Sequence, residues 1–600
     1  MTLLRFSIFS ALLLLAQLSL AGPVRPPQIV VDQNGNGDYT TISAALANVP
    51  ATGAQILVKR GTYNESVTIS TAKTRLVGEG AKLTTLVTPV NQNGININAD
   101  DVEVSNLEIN GSSAYIGVAI YGARDIVRDC YVHNTRSHGI QIQNADARVE
   151  NNLIENVATS TSGTAGGVYK GIFTNGAGRP KIINNRITGW SQGVGLWYGT
   201  ADGLVEGNYV INNYGFEDAG HTVYRSAMED YGANVAGHGN NRWMNNVVDG
   251  STHNCFEIAQ GVAGSQYVGN VTRNPGKLSN DGSYFEVTGQ SGQLTTDILI
   301  SGNYSISDGT RRENAVVVNG SAFRIMVRGN TYVNFTNTTG VIFLGGLATS
   351  GDISIDGNQF FNSRTIIRLN NNSNGVVISN NLGRGLLPGG SLTWIEIDTG
   401  GNHVIHGNSL SGTGYGLFVG GNGINRITGN SITTSTNSYC VNLASSDNVF
   451  TDNQCSGTGN QGASVVRFNG SRNIVRTNDV DSGGMGGSRA VYFDGGDYNI
   501  FQDNTLAGIG YIDSRFGGPH NTLEPNHNIA VTKTSTLKSL GSVAVGASQI
   551  AVQHGLGYAP SVVTITMTSP GNIYKSAPSD ANYIYLTADA DGRTAEIYAR

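Results

Sequence analysis

Charge is scarce in this sequence. Only 13% of the 600 residues are charged, and the formal net charge is −6. A surface that binds nucleic acid carries a basic patch or stripe, and this composition offers none, so nucleic acid is excluded as a partner. Where ionisable side chains are so few, a segment that concentrates them becomes a candidate functional site.

Cysteine and proline are also rare, with 4 and 13 copies. Four cysteines in a chain of this length do not make a disulfide scaffold. Cys440 and Cys455 are close enough in sequence to pair, whereas Cys130 and Cys255 are far apart. We expect all four to act as small buried apolar side chains.

Long apolar runs are absent except at the start of the chain. Arg5 precedes an apolar run over residues 6–18, and small residues follow at the positions where cleavage would occur. This pattern predicts a secretory signal peptide over residues 1–21 and therefore a secreted, extracellular protein. No later run has the length that a membrane span needs, so we expect none.

The residues that are plentiful favour strands and turns. Glycine occurs 81 times, and Val, Ile, Thr, Tyr and Asn are common, while helix formers such as Met are few. Branched and aromatic side chains favour strands, and Gly and Asn favour turns. We therefore expect an all-β chain, although its length alone would suggest several separate domains.

A short phrase recurs along most of the chain: an apolar residue, two variable residues and then Asn. The Asn positions are Asn106, Asn152, Asn185, Asn208, Asn246, Asn270, Asn303, Asn330, Asn358, Asn381, Asn408, Asn430, Asn453, Asn478 and Asn504, with Asp129 standing in once. The commonest spacing, about 22–28 residues, fits one solenoid coil with three short strands. We expect each Asn to adopt the left-handed corner conformation and to hydrogen-bond to its copies in neighbouring coils.

This repeat resembles that of the right-handed parallel β-helix proteins, the pectate-lyase-like superfamily. The opening segments DQNGNGDYTTISAALANVP (32–50), ILVKRGTYNESVTI (56–69) and LVGEG (76–80) are similar to the start of pectinesterase-type β-helices. The resemblance implies an all-β, right-handed parallel β-helix solenoid with an N-terminal capping helix over residues 42–49. It says little about the reaction, because this fold hosts lyases, hydrolases, epimerases, esterases and inert spikes.

Esterase chemistry is not expected from the motifs. GTYNE (61–65) matches an early pectinesterase motif, but no later segment matches the two-aspartate-plus-arginine catalytic motifs of that family. FQDNTL (501–506) is only superficially similar to one of them and belongs to the recurring Asn phrase.

The end of the chain has a different pattern. Apolar and polar residues alternate in four segments, SQIAVQH, SVVTITMT, NYIYLTA and TAEIYA. This alternation predicts a small antiparallel β domain. HGLGYAPSVV (554–563) resembles a C-terminal module of phage tail fibres and spikes, and this implies glycan binding or a homotrimer. We therefore divide the chain into a signal peptide (1–21), an N-terminal cap (22–50), the parallel β-helix (51–528) and a C-terminal β domain (529–600).

Function in a solenoid is expected where the repeat is interrupted. The three longest intervals run from Asn152 to Asn185, from Asn208 to Asn246 and from Asn270 to Asn303. The second of these contains FEDAGHTVYRSAMEDYG (216–232), in which ionisable side chains crowd together.

Stacking the second strand phrase of each coil aligns GIQIQ (139–143), GIFTN, GVGLW, AMEDY (227–231), CFEIA and YFEVT (284–288). Because side chains alternate along a strand, the outward positions form two columns. The first contains Gln141, Phe173, Gly195, Glu229, Glu257 and Glu286, and the second contains Gln143, Asn175, Trp197, Tyr231, Ala259 and Thr288. We name Glu229, Glu257 and Glu286 the glutamate column. The same register turns Asp230 inward unless a bulge intervenes.

The predicted site is a lateral groove along these columns. Its catalytic candidates are Glu229, Glu257, Asp230, His221, Arg225 and Tyr231, and its substrate-binding candidates are Phe173, Trp197, Tyr198, Lys170 and Arg242. The glutamate column is also the candidate metal site, with Ca²⁺ as the candidate cofactor. Like charges about 4.8 Å apart repel one another, and a cation among them would relieve that repulsion.

These features favour a secreted enzyme that acts on a polysaccharide. The superfamily resemblance favours a lyase that cleaves a uronic-acid polymer by β-elimination, with Arg225, Lys170 or His221 near the proton that is removed. Two alternatives stay open: a glycoside hydrolase that uses paired glutamates, and a glycan-binding spike or surface fibre without catalysis.

Overall fold

The computed structural model describes residues 26–111, 115–157, 169–189, 192–211, 226–233, 235–251, 253–276, 282–336, 340–347, 352–370, 373–388, 393–434, 439–457, 464–483, 489–508, 511–513, 518–523, 526–528, 538–554, 559–560 and 563–599. The predicted signal peptide lies outside these residues. The chain forms two compact units, Met1–Val223 and Tyr224–Arg600. Among the residues described, no helix has the length and apolar character needed to cross a membrane.

In each unit the chain passes through three parallel sheets per coil, and we number the sheets in the order of passage. Sheet 1 contains Gln28–Val31, Gln55–Val58, Arg75–Gly78, Glu103–Ser105, Ile126–Arg128, Arg148–Glu150, Lys181–Ile183 and Leu204–Glu206 in the first unit. In the second unit it contains Arg242–Met244, Gln266–Val268, Thr295–Ser301, Ala322–Arg328, Ser354–Asp356, Val377–Ser379, Val404–His406, Arg426–Thr428, Val449–Thr451, Ile474–Arg476 and Ile500–Gln502.

Sheet 2 follows the corner at which the recurring Asn phrase lies. In the first unit its strands are Gly61–Asn64, Thr84–Val87, Glu108–Asn110, Tyr131–His133, Leu153–Glu155, Arg186–Thr188 and Tyr209–Ile211. In the second unit they are Val247–Asp249, Val271–Arg273, Tyr304–Ile306, Thr331–Val333, Gln359–Phe361, Leu382–Leu386, Ser409–Gly412, Ser431–Thr434, Gln454–Gly457, Asp479–Asp481, Thr505–Ala507 and His527–Asn528.

Sheet 3 carries the stacked phrases that contain the glutamate column. Its first-unit strands are Val67–Ile69, Ile95–Ile97, Val118–Ile120, Ile140–Ile142, Ile172–Asn175 and Val194–Trp197. Its second-unit strands are Met228–Tyr231, Phe256–Ala259, Ser283–Gly289, Asn314–Gly320, Ile342–Leu347, Ile367–Leu369, Thr393–Ile397, Tyr415–Val419, Val441–Leu443, Ser464–Phe468, Arg489–Phe493 and Tyr511–Asp513. The predicted all-β parallel solenoid is confirmed.

A short helix, Ile42–Leu46, precedes the second strand of sheet 1. Thr41 caps it by accepting a hydrogen bond from the Ala44 N–H, and Glu65 accepts from the backbone N–H groups of Ile42 and Ser43 at 2.8 and 2.9 Å. The predicted capping helix is therefore present but ends at Leu46 and not at Val49. Glu65 belongs to the pectinesterase-like GTYNE motif, so this motif has a structural role here.

The first parallel strand begins earlier than predicted. Gln28–Val31 lies within the segment assigned to the cap, yet it pairs in register with Gln55–Val58 of the first full coil. The apolar side chains of the short strands point into the coil, as Val118, Ile140 and Ile172 show by pairing in register with no exposed surface. These stacked inward columns form the core of each unit.

The recurring Asn residues form a buried ladder. In the first unit Asn152 donates through its backbone N–H and its Nδ2 to Oδ1 of Asn185, both at 3.0 Å, and Asn185 donates likewise to Asn208. In the second unit the same pairs of bonds, between 2.8 and 3.0 Å, connect Asn246, Asn270, Asn303, Asn330, Asn358, Asn381, Asn408, Asn430, Asn453, Asn478, Asn504 and Asn526. The expected contact between copies is confirmed.

The expected corner conformation was assigned to the wrong residue. The left-handed conformation belongs to the residue before the ladder Asn, for example Asn151 (φ 57°) and Asn184 (φ 53°). Asn106 (φ 56°) and Asp129 (φ 54°) occupy this preceding position, so they lie outside the ladder. One residue turns the corner and the next donates to the neighbouring coil, because the two tasks require different backbone angles.

A second Asn ladder was missed in the sequence. Backbone N–H groups connect Asn425, Asn448, Asn473, Asn499 and Asn521 to the Oδ1 of the next member, at distances from 3.2 to 2.8 Å. These residues stand five positions before members of the first ladder, at the turn into sheet 1. That constant offset is the sequence signal that could have revealed them.

The cysteine expectation holds for two residues and is wrong for the other two. Cys130 and Cys255 are free and buried, as expected for small apolar side chains. Cys440 and Cys455 form a disulfide instead. Neighbouring coils bring them together, because Cys455 lies on a sheet 2 strand and Cys440 immediately precedes a strand of sheet 3.

The end of the described chain folds as two antiparallel three-stranded sheets. One contains Lys538–Val545, Val563–Met567 and Arg593–Ala599, and the other contains Ile550–Gln553, Ile573–Ala577 and Tyr583–Ala588. Their shared apolar core includes Val545, Ile584, Leu586 and Ile597. The predicted antiparallel region is confirmed, while the domain boundaries and the homotrimer or glycan-binding role stay predictions.

The interior of the second unit also contains a carboxylate. Asp230 has no exposed surface and accepts hydrogen bonds from His238 Nε2 (2.7 Å), Asn241 Nδ2 (2.9 Å), Trp243 Nε1 (3.2 Å) and Tyr267 OH (2.8 Å). Burial raises the pKa of Asp230, but the charge and hydrogen bond of His238 and the hydrogen bond from Tyr267 lower it more, so it lies below its usual range. The buried charge of Asp230 is stabilised because these four side chains donate hydrogen bonds to it.

The disulfide gives a first prediction. Replacing Cys440 and Cys455 together by Ala should lower the free energy of unfolding by about 3 kcal/mol, because the bond restricts a 15-residue loop in the unfolded chain. Chemical denaturation with and without reductant measures this loss. Reductant should destabilise the unmodified protein and leave the double variant unchanged. Four reactive thiols in the denatured, unreduced protein would contradict the pairing.

The buried Asp230 gives a second prediction. Asp230→Ala should cost about 3–5 kcal/mol of unfolding free energy, because it leaves the surrounding donors without their acceptor. Since the folded pKa lies below the unfolded one, the contribution is present near neutral pH and is lost as the pH falls through the folded pKa. Asp297→Ala is the matched control: its ion pair with Arg324 is about half exposed, so a much smaller loss is expected. Equal losses in chemical denaturation would refute the special role of Asp230.

Candidate active site

The glutamate column has the predicted register. On sheet 3 of the second unit, Glu229 pairs with Glu257 and Glu257 pairs with Glu286, so the three carboxylates occupy one position on consecutive strands. Glu229 is only 5% exposed, and the other two are half-buried. The alignment follows from alternation: Met228 and Phe256, one residue earlier, point into the core with almost no exposed surface.

Neighbouring polar groups orient the carboxylates. The Ser226 hydroxyl donates to Glu257 Oε2 at 2.6 Å, and Asn254 Nδ2 donates to Glu286 Oε2 at 2.5 Å. Asn254 is itself fixed, because its Oδ1 accepts from the Ser283 N–H at 2.9 Å. Two members of the column are therefore held in place by donors that lie just before the adjoining strand.

The second outward column also has the predicted register, since Tyr231 pairs with Ala259 and Ala259 pairs with Thr288. Tyr231 is half-buried, and its hydroxyl donates to Gln260 Oε1 at 2.7 Å. This bond anchors the ring at the edge of the glutamate column. Tyr231 therefore keeps a place among the candidates.

The structure displaces two of the candidates, and two others lie outside the residues that it describes. Asp230 faces the core without a bulge, so its inclusion among the catalytic residues is wrong: a fully buried carboxylate cannot touch a substrate. Arg242 is exposed but lies on sheet 1, on a different face from the glutamate column, so its predicted place in the groove is also wrong. His221 and Arg225 lie outside the described residues, and their roles stay predictions.

The predicted aromatic residues form a cluster in the first unit. Phe173 stacks on His138 with ring centroids 4.4 Å apart, Trp197 meets Phe173 edge-on at 5.8 Å, and Tyr198 meets Trp197 at 5.2 Å. Phe173 and Trp197 are nearly buried, whereas Tyr198 is 41% exposed. Tyr198 is therefore the member that presents a ring for stacking on a sugar. The expected proximity of this cluster to the glutamate column stays a prediction.

Lys170 lies beneath these rings and not on the surface. It has no exposed area, its amino group hydrogen-bonds to Gln192 Oε1, and its Nζ lies 4.1 Å from the Trp197 ring centroid. A Cβ atom on Gly195 would come within 1.9 Å of Lys170 Cε, so the glycine in the outward column makes room for this side chain. The expectation that Lys170 binds substrate directly is wrong for this arrangement.

His138 is the polar partner of this cluster. Its Nδ1 accepts from the Lys170 backbone N–H at 3.0 Å. Burial, and then the nearby positive charge of Lys170, lower the pKa of His138 to about 3. The imidazole is therefore neutral at physiological pH and serves as an acceptor and a stacking surface.

The glutamate column does not form a three-ligand metal centre. Among the residues that the structure describes, no group of three or more His, Cys, Asp or Glu side chains is arranged to hold a metal ion. The Ca²⁺ site stays a prediction. A carboxylate row of this kind can act through its own acid–base chemistry.

The outward column extends beyond the six phrases that were aligned from the sequence. Strand pairing continues the outward column beyond Glu286, through Val317 and Phe343, to Arg368 and Glu396. The phrase TWIEI (393–397) has the same alternation as the phrases that were stacked. Extending the alignment by four coils would have found Glu396.

Comparison with known proteins supports the fold and identifies related segments. Residues 93–272 match the family model described as "Right handed beta helix region", and residues 28–143 match the pectinesterase model. Pectinesterase 1 of Solanum lycopersicum is 43% identical over 67 residues, which are 10% of this chain and 12% of that protein. The probable pectinesterase 56 of Arabidopsis thaliana is 33% identical over 94 residues, which are 12% of this chain and 33% of that protein.

The matched segments thus span a third or less of these curated relatives. Among solved structures, pectate lyase Pel9A is similar with a TM-score of 0.38 and 17% identity, over 50% of this chain and 78% of the other. The match to the β-helix model and the coils of three parallel sheets agree. Residues 93–272 therefore match the right-handed β-helix model, and the described residues outside the C-terminal antiparallel sheets form a parallel β-helix of three sheets.

Proposed function

We propose that the protein is an exported enzyme that cleaves a polysaccharide along the outward face of sheet 3, with the glutamate column at the reaction centre. The observation that carries this proposal is the stacking of Glu229, Glu257 and Glu286 on consecutive strands. Carboxylates at strand spacing repel one another, and fold stability gives no reason to place three of them in a row. A catalytic function does give a reason, because one of two adjacent carboxyl groups can act as the acid and the other as the base.

Hydrolysis is the reaction that the described residues support best. One carboxyl group donates a proton to the leaving glycosidic oxygen, and a second either attacks the sugar or activates water. Adjacent strands give a separation of about 4.8 Å and alternate strands about 9.6 Å, which bracket the retaining and inverting geometries. Ser226 and Asn254 keep the two half-buried carboxylates oriented in either case.

β-Elimination of a uronic-acid polymer is the second candidate, and the pectinesterase matches favour it. Pectinesterases are named for pectin, residues 28–143 match their family model, and two of them share short stretches of sequence with this chain. In this reaction a base removes the proton next to the uronate carboxylate, the bond to the glycosidic oxygen breaks, and a double bond forms. Arg225 and His221 are the candidates from this chain for a position near the proton that is removed.

Ester hydrolysis has weaker support. The pectinesterase match ends at residue 143, before the glutamate column, and its GTYNE motif supplies the helix-capping Glu65. A non-catalytic glycan-binding spike is the outcome that remains if no bond is cleaved. The Cys440–Cys455 disulfide supports export, because such bonds form in oxidising compartments.

The third prediction concerns the glutamate column. Glu229→Gln and Glu257→Gln should each lower kcat by about 10²–10⁴, because each removes a proton-transfer group and preserves its shape. Pectin and polygalacturonate are the first substrates to test, followed by neutral polysaccharides. Hydrolysis releases new reducing ends without ultraviolet absorbance, β-elimination adds absorbance from its double bond, and ester hydrolysis releases methanol from pectin.

Two controls sharpen this measurement. Glu596→Gln changes a half-buried glutamate of the antiparallel region and should leave kcat unchanged. Chelator should abolish the reaction only if a cation bridges the substrate to the column. Full activity in a folded variant with Gln at all three column positions would rule out the column as the reaction centre.

A further inference from the structure

In the second unit the outward row of sheet 3 continues well past the glutamate column. Strand pairing carries it in unbroken register from Glu286 through Val317, Phe343, Arg368, Glu396, Phe418, Asn442, Arg467 and Tyr492. Val317 and Phe343 are apolar, and polar and aromatic residues follow them. We name the set from Arg368 to Tyr492 the distal row.

The distal row contains polar side chains that are buried although they occupy outward positions. Glu396 is 7% exposed and Asn442 is 6% exposed, while Phe418 between them is half-buried. An outward side chain on a solenoid normally faces water, so this burial indicates a recess in the outer face. Tyr439 lies against the same recess and hydrogen-bonds to Asn442.

Two polar atoms in this recess have no partner among the described residues: Asn442 Oδ1 and Arg467 Nε. They belong to residues that pair on neighbouring strands. The rest of the Arg467 guanidinium is paired with Asp494, which also accepts from the Tyr492 hydroxyl at 2.7 Å. A buried acceptor next to a buried donor is unfavourable unless something satisfies both, and a hydroxyl group does so with one oxygen.

The charges at the other end of the recess balance one another. Arg368 Nε lies 2.7 Å from Asp398 Oδ2, and its Nη2 lies 3.8 Å from Glu396 Oε1. Burial, then the hydrogen bond with Asp398 and its charge, raise the pKa of Glu396 to about 7. Below that pH the two carboxyl groups share one negative charge, which neutralises Arg368. Above it the recess gains a negative charge.

We propose that the distal row is a second polysaccharide-binding site, in which a sugar hydroxyl joins Asn442 Oδ1 to Arg467 Nε and the Phe418 ring contacts the sugar. Arg467 can move aside to admit the hydroxyl, because its side chain is 34% exposed. The proposal rests on the proposed function, in that the ligand is the polymer that reaches the glutamate column along the same row. It adds binding residues that cleavage itself does not require.

The charge balance favours an uncharged or weakly charged stretch of the polymer. Both arginines of the distal row are already paired with carboxylates, so the described part of the row offers no unpaired cation to a uronate group. Hydroxyl recognition and ring stacking are therefore the interactions that remain. The alternative occupant is an ordered water molecule between Asn442 Oδ1 and Arg467 Nε, and in that case no sugar hydroxyl is needed there.

Asn442→Leu tests the proposal in the full chain. The cleavage-deficient background with Gln at all three column positions is used, so that binding of polygalacturonate and of methyl-esterified pectin can be measured without turnover. We expect Asn442→Leu to weaken binding about tenfold, because a hydrogen bond to the sugar is lost. The unfolding midpoint should change little, since the lost hydrogen bond to Tyr439 is offset by removal of the unsatisfied buried acceptor. Gln359→Leu, at an exposed position of sheet 2, is the control and should bind normally.

Glu396→Gln gives a second, independent readout. The groups that face Glu396 are Arg368 on the preceding strand, Asp398 at the end of its own strand, and Tyr439. Binding of polygalacturonate should weaken as the pH rises from 6 to 8, because the recess gains a negative charge near an acidic polymer. Glu396→Gln cannot titrate and should bind equally at both pH values.

The outcomes separate this inference from the proposed function. Normal binding by a folded Asn442→Leu variant, with pH dependence kept in Glu396→Gln, would refute the distal site and mean that only water joins the two atoms. Cleavage by the unmodified protein would still stand in that case. If the unmodified protein neither binds nor cleaves any of the polymers, the proposed function itself fails.

Discussion

Parallel pairing between neighbouring coils decides where the side chains of the described β-helix strands lie. The backbone hydrogen bonds fix the register, so a residue meets its counterpart one coil away whatever its chemistry. Inside, this stacks Phe256 on Phe285 with centroids 4.9 Å apart, and the contact stabilises the core. Outside, it brings Glu257 next to Glu229, and the contact is repulsive. An outward row of like charges therefore persists only with support from other groups, such as the hydroxyl of Ser226.

The same constraint separates two adjacent carboxylates into different environments. Glu229 and Asp230 are neighbours in sequence, yet alternation turns the first outward and the second into the core. The core accepts Asp230 because His238, Tyr267 and other donors surround it. Glu229 lies on the outward face of sheet 3 although it is nearly buried, while Asp230 stabilises the core. Composition alone could not distinguish them, but strand alternation does.

Features that follow from the spacing and alternation of residues could be predicted from the sequence. Contacts that depend on how the coils pack in three dimensions could not. The coils, the three sheets and the register of the glutamate column follow from spacing and alternation, which are local properties. The burial of Lys170 under Trp197 depends on the glycine at 195 one coil away, and no spacing rule reveals that contact. Likewise, the pairing of Cys440 with Cys455 depends on how two turns meet in space. The aspartate at 129 was misassigned because corner and ladder positions differ by only one residue.

In the second unit the outward row of sheet 3 runs from the glutamate column to the distal row. Glu286 and Glu396 are four strand steps apart, a distance of about 19 Å at the usual strand spacing. Val317, Phe343 and Arg368 occupy the interval, and the apolar side chains of the first two do not compete for hydrogen bonds with a polymer that passes over them. A short oligosaccharide can reach either the glutamate column or the distal row, whereas a longer chain parallel to the outward row reaches both. The length of the oligosaccharide therefore determines how much binding energy is available to hold the scissile bond at the glutamate column.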